Sequence, residues 1–326
     1  MMIETAVPNA VSRTPEPAAP SASPAEMLRR GGAGDQRRLN AFYLRELGAP
    51  AAYAAAPSLS EYAEIHAIEA TWNAFEESRL DLSALPCDAD GFARWYLDLH
   101  RRHRREVAPF FDYLAERASL EELAAYVGLE EQVDGRFDDV IALAQLGMSG
   151  DMKLALAENY WDEMGCGELG GLHTTLFAES IDALRGYLGA DLTRAEAPDA
   201  ALKNGNLLMM YALRRRHVPR LLGAIAILEH TAPYRFAKVV RGLRRFDLPE
   251  PAIHYHEMHI EVDARHGRQL LNRVLLPLVA AHPDVIREVC VGCLIRFNIA
   301  CDYYRAIEAS MRRVAEAAVA ARAAAH

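Results

Sequence analysis

Apolar positions recur every three or four residues over most of the chain, the spacing that lines one face of an α-helix. Residues 91–116, 119–131, 135–147 and 152–164 read in this way as consecutive helices, followed by 169–188, 203–215, 218–246, 251–281 and 283–319. Pro233 is expected to kink or interrupt the 218–246 segment, and Pro249, Pro251 and Pro283 mark breaks. No Asn-Gly or Asp-Gly stands between alternating apolar runs, and Lys203-Asn204-Gly205 lies between helical stretches, so hairpins are not expected. The pattern predicts an all-α protein in which short loops join antiparallel neighbours of a bundle.

The ends of the chain depart from this pattern. Residues 1–34 are rich in Ala, Pro, Ser and Gly without periodicity, a composition that cannot bury enough apolar surface to offset ordering. They are expected to form a disordered tail before a single helical domain, 35–326. The final VAEAAVAARAAAH is helix-prone and reads as the fraying end of the last helix.

Composition then narrows the class. Of 326 residues 51% are apolar and 25% charged, enough to build a core and too regular for a collagenous or disulfide-scaffold protein. Lys and Arg number 36 against 45 Asp and Glu, and the net charge of −9 argues against a nucleic-acid partner. No apolar run reaches the roughly 18 residues of a membrane span, and no basic segment leads into an apolar one at the N-terminus. Five cysteines, an odd number, do not suggest a disulfide framework. The expectation is a cytoplasmic protein with no membrane partner.

The sharpest chemical feature is HIEVDARH, in which His259, Asp263 and His266 stand at i, i+4 and i+7. At 100° per residue they fall near about 0°, 40° and −20°, one narrow stripe of a helix. Two imidazoles and a carboxylate on one face are ligand types for iron, manganese or zinc, although charged stripes facing water are also common. Further polar residues stand on otherwise apolar faces. Glu229 ends LLGAIAILE with Ile225 and Leu222 behind it, Glu163 follows Tyr160, Leu156 and Met152, and His173 is flanked by Leu169, Leu176 and Phe177. A carboxylate pointed into a core must neutralise or find a cation. Glu163 and His173 are ten residues apart, about 80° from a shared face on an unbroken helix. Gly165, Gly167, Gly170 and Gly171 lie between them and can break the helix, letting His173 begin a second one. The Glu-x-x-His pair of ferritin-like carboxylate proteins is absent.

NYWDEMGCGELGGLH, followed by Glu229 and then His259-x-x-x-Asp263-x-x-His266, resembles the haem-oxygenase-like diiron oxidases and oxygenases, over roughly residues 95–316. The resemblance implies a haem-oxygenase-like bundle of about seven core helices, here with added N-terminal helices. It implies Glu163, His173, Glu229, His259, Asp263 and His266 as ligands of two Fe(II) ions. Glu163 and His173 would serve mainly one iron, His259 and Asp263 mainly the other. It implies dioxygen as co-substrate and a small-molecule substrate, with an external electron donor and a homodimer left open. Members that oxygenate nitrogen carry one extra carboxylate from an earlier helix. Glu130, with Leu123, Tyr126 and Val127 behind it, is the candidate here, and Glu131 the runner-up. The expected activity is therefore N-oxygenation of an amine-type nitrogen in specialised metabolism. The alternatives are desaturation or C–C cleavage of a fatty or amino acid, and a metal-free binding protein on the same scaffold. The resemblance also implies that residues 251–266 loosen without metal.

Other features have plainer readings. Cys290, Cys293 and Cys301 sit in an apolar helix and read as core thiols. Arg101, Arg102, Arg104 and Arg105 around His103, and Arg214–Arg216 before His217, read as solvated faces. His256, one turn before His259, is a candidate for the edge of the site. Tyr160, Trp161, Tyr255, Phe297 and Tyr304 are candidates to line a cavity, with packing as their default role. Asp162 is expected beside the ligands or at the surface, and Glu257 and Glu261 in solvent.

Overall fold

The computed structural model describes residues 33–48, 57–187 and 198–324, with side chains to 311. Every regular element in them is helical: α1 (Ala33–Glu46), α2 (Leu59–Ser78), α3 (Ala89–Glu116), α4 (Leu120–Asp134), α5 (Phe137–Ala144) and α6 (Gly150–Glu163) come first. They are followed by α7 (His173–Leu184), α8 (Asp199–Leu213), α9 (Val218–Leu243), α10 (Pro251–Gln269), α11 (Leu276–Ala281) and α12 (Ile286–Ala324). No strand occurs among the described residues, as the periodicity predicts. The expected tail, 1–34, lies outside the described residues except for Ala33 and Gly34, which begin α1. None of the described helices is long and apolar enough to cross a membrane.

Helix starts follow local chemistry. Ser119 accepts from the backbone N–H of Glu122 while the Glu122 carboxylate accepts from that of Ser119, closing a capping box at α4. Ser58 and Asp88 cap α2 and α3 in the same sense.

Helix α9 is the axis of the bundle. It is buried along most of its length and packs against α10, α12 and α3, while α7 packs on the outer side of α10. Pro233, expected to kink or interrupt this segment, does not interrupt α9. Burial on several sides holds the helix together, and the cost falls on one hydrogen bond, the i−4 carbonyl of Glu229, which meets a residue without an N–H. The 251–281 segment is not one uniform helix either. After Gln269 it widens into a π-helical stretch, Leu270–Leu275, before α11, a form that frequently accompanies functional sites. Arg273 in this stretch binds Asp151 and Glu158 of α6, tying α6 to the end of α10.

Candidate metal centre

Six polar residues converge where α6, α7, α9 and α10 meet. Helix α6 ends at Glu163, and Gly165 and Gly167 adopt left-handed φ values of 59° and 92° in the turn that follows. Gly165 approaches Gly171 so closely that a Cβ would lie 2.3 Å from the Gly171 carbonyl carbon. Only glycine fits there. The turn reverses the chain, and α7 begins at His173. The break anticipated from the glycines thus brings Glu163 and His173 together, with His173 Nδ1 2.9 Å from Glu163 Oε2. From α10, His259 joins them, its ring 4.5 Å from that of His173. The ligand-type atoms of Glu163, His173 and His259 all lie within 4.8 Å of one another.

Glu229 of α9 and Asp263 and His266 of α10 form a second triad with the same property. His266 Nδ1 is 3.3 Å from Glu229 Oε2, and its Nε2 bonds Asp162 Oδ2 at 2.7 Å. All six residues are buried. The resemblance grouped Glu163 with His173 and His259 with Asp263; the geometry places His259 with the first pair and Asp263 with Glu229 and His266.

The electrostatics suit cations. Burial raises the Glu163 carboxyl, opposed by His173 and reinforced by Glu229. Burial likewise raises Asp263 well above its usual range, with Glu229 and Glu163 adding to it. Burial would lower His266, but its hydrogen bond to Asp162 and the charges of the nearby Glu229 and Asp263 push it up to about 10. With no metal in place the carboxylates thus favour a protonated His266, and a metal ion would take over that positive charge. His259 is lowered well below its usual value, by burial first and then by His173, so it is neutral. Its Nδ1 meets the Tyr255 carbonyl at 2.7 Å and donates to it, which leaves the Nε2 lone pair for a ligand bond.

These residues fit a pair of metal ions. Nδ1 of His173 and Nδ1 of His266 are buried and close to carboxylate oxygens, yet out of line for hydrogen bonds. Nitrogen and oxygen atoms so placed would be satisfied together by a cation held between them. Mixed imidazole and carboxylate donors suit iron.

Several neighbours serve the triads. Asn159, one turn before Glu163, donates through Nδ2 to both Glu229 oxygens, at 2.8 and 3.0 Å. Asp162 also binds Arg265 at 2.5 Å. Phe236 and Tyr255 pack against His259, and Phe177 packs against Tyr255. Trp161 points outward, 54% exposed, because α6 turns only its Asn159–Glu163 stripe inward. Glu257 and Glu261 are exposed as expected. His256 is fully buried and neither ring nitrogen has a partner. Cys290 and Cys293 are buried among apolar residues, as read.

Glu130 is buried but belongs to neither triad; its Oε2 is 3.3 Å from Arg235 Nη1. Glu131 is exposed. Asp134, one turn after Glu130 on the same face, has Oδ2 buried without a partner. Its carboxyl is raised well above the usual range by burial, with Glu130 and Glu163 adding to the effect and Arg235 and Arg296 opposing it. The apolar stripe behind Glu130 ran into Asp134 through i+4 spacing, and that signal was available in the sequence.

A profile of iron-containing redox enzymes matches residues 124–300, more than half of the chain and the span that holds both triads. The chain belongs to the iron-containing redox enzyme family. It is an oxidoreductase of haem-oxygenase-like, all-α fold. Among solved structures it is similar to a CADD-like protein of unknown function from Nostoc punctiforme, at 19% identity with a TM-score of 0.46, over 67% of this chain and 96% of that one. No curated protein matches it.

Proposed function

We propose that this family member is a non-haem diiron oxygenase that oxidises an amine-type nitrogen of a small molecule with dioxygen. The observation that carries the reading is the pair of buried triads, Glu163–His173–His259 and Glu229–Asp263–His266, in mutual electrostatic contact. Two ferrous ions held by these groups would supply electrons to dioxygen, with open positions for it to bind.

The chain's own residues prepare for this. The Tyr255 carbonyl fixes the His259 tautomer, and Asp162 fixes the ring of His266 and raises its basicity. Asn159 orients Glu229 from one side, so a change in how that carboxylate binds must break or share two hydrogen bonds. Phe177, Phe236 and Tyr255 exclude water from the His259 side, which strengthens every charge interaction there. The preference for nitrogen rests on a further carboxylate from α4: Glu130, here paired with Arg235, was the candidate, and Asp134, whose Oδ2 has no partner, is the alternative that this reading favours. Desaturation or C–C cleavage of a fatty or amino acid is the second reading, in which Asp134 remains off the metals.

The test is anaerobic Fe(II) loading followed by stopped-flow absorbance on mixing with oxygenated buffer. About two irons per chain and a transient visible band are expected, with the band decaying faster in the presence of amines. Faster decay with fatty acids alone selects the second reading. No iron above background would make the triads structural salt bridges of a binding protein.

A further inference from the structure

Arg296 of α12 is a buried cation without a carboxylate of its own. It is 3% exposed, and its Nη1 donates to the backbone and side-chain oxygens of Asn204. A guanidinium does not escape burial by losing its proton, so it needs a counter-charge. Arg235 of α9, 4% exposed, donates to Glu130 Oε2 at 3.3 Å and to Tyr304 Oη at 3.1 Å. Two buried guanidinium groups therefore have one ion-paired carboxylate between them, Glu130. Asp134 stands nearby on α4, but it forms no ion pair with either guanidinium, and its Oδ2 has no partner.

A small cavity opens between α3, α9 and α12, on a different face of α9 from Glu229. Arg235, Arg296, His103, Thr231, Phe297 and Tyr304 line it, and the centre of a water-sized sphere can move within about 10 Å³ of it. That is room for one compact occupant. His103, 4% exposed, lines the cavity, and its Nδ1 has no partner. Burial and the two guanidinium charges hold its pKa well below the usual value, so it is neutral and carries one N–H to give. The Thr231 hydroxyl is committed to the carbonyls of Ile227 and Leu228. The wall thus presents donors and positive charge, with apolar surface around them. A cation is repelled, and a water would leave Arg296 uncompensated.

We infer that this cavity is an anion site for one compact monoanion, held by Arg296 and Arg235 with His103 as a third donor. The inference stands apart from the diiron reading, because it needs neither metal nor turnover. The same chemistry is offered by a free halide and by the carboxylate end of a small acid.

The test is thermal unfolding of the metal-free full chain in chloride-free buffer, titrated with chloride, bromide or formate. Ionic strength is kept constant with gluconate, which is too large to enter. A saturable rise in Tm is expected for wild type, and its loss in Arg296→Met and in His103→Phe, which fills the cavity while keeping both arginines. Should Arg296→Met not fold, Arg296→Lys, which keeps the charge but replaces the planar fork of donors with a single ammonium, takes its place with a weakened rise expected. Saturation by halides alone assigns a resident halide; saturation by formate as well assigns a carboxylate end. A bromide soak of wild-type crystals is expected to give an anomalous peak between Arg235 and Arg296. Tm values that follow ionic strength alike for every anion, or a rise that survives in both variants, would overturn the site.

Discussion

Asp162 Oδ2 accepts a 2.7 Å hydrogen bond from Nε2 of His266, while the other ring nitrogen faces Glu229 at 3.3 Å. The carboxylate therefore decides which nitrogen of His266 is free to bind metal. Partners of this kind typically set metal affinity over a 10–100-fold range. Asp162→Ala is expected to weaken iron binding by about that factor, measured by competition with a chromophoric chelator, with helicity by circular dichroism unchanged. Equal affinity would mean that the contact is incidental.

His259→Ala and His266→Ala remove the nitrogen donors that α10 lends to each triad. Both variants should lose stable iron and all turnover while keeping the helical spectrum. Full turnover in either would show that the triads are not the reactive centre.

Gly267 follows His266 where α10 lies against α9. A Cβ there would stand 2.6 Å from the Cα of His230, a backbone atom that cannot swing aside. Gly267→Ala should push the two helices apart, destabilising the protein by about 1–3 kcal/mol and separating His266 from Glu229. Iron affinity should therefore fall together with Tm. A normal affinity with lowered Tm would show that the ligands move as one unit with α10.

The fully buried His256 has a pKa lowered to about 3, by burial first and then by Arg235. The unfolded chain, near 6.5, binds the proton more readily, so stability is complete above that pH and is lost as pH falls toward 3. At pH 5 the loss is about 2 kcal/mol. Raised carboxyls in the metal-free triads act in the opposite direction, so the informative quantity is a difference. Urea unfolding of metal-free protein at pH 7 and pH 5 should show a smaller acid loss in His256→Gln than in wild type. Parallel losses would assign the acid sensitivity to His217 and His230, both lowered to about 4 mainly by burial.

Cys290 and Cys293 are buried, and burial pushes the Cys290 thiol up to about 12 and that of Cys293 well above its usual value. Neither is a thiolate near neutrality. Serine at either position should leave iron stoichiometry unchanged, by metal analysis of the purified protein. A lost iron would give these thiols a role in loading.

The sequence by itself determined the helical class and the ligand-type stripe of α10. Both depend on spacing along one helix, where 3.6 residues per turn carries His259, Asp263 and His266 to one side without reference to any other element. It also marked the break between Glu163 and His173, because four glycines within seven residues cannot hold a helix. What only the tertiary structure decided is which residues share an ion-sized space. Asp263 belongs with Glu229 rather than with His259, Asn159 and Asp162 hold the ligands in place, and Glu130 is bound to Arg235. These depend on the rotation and offset of α4, α6, α9 and α10 against one another. Such offsets arise from close packing of many apolar side chains, each contributing little, and no local spacing encodes their sum. Pro233 illustrates the same limit: a residue that would break an isolated helix is carried within α9 by the burial around it.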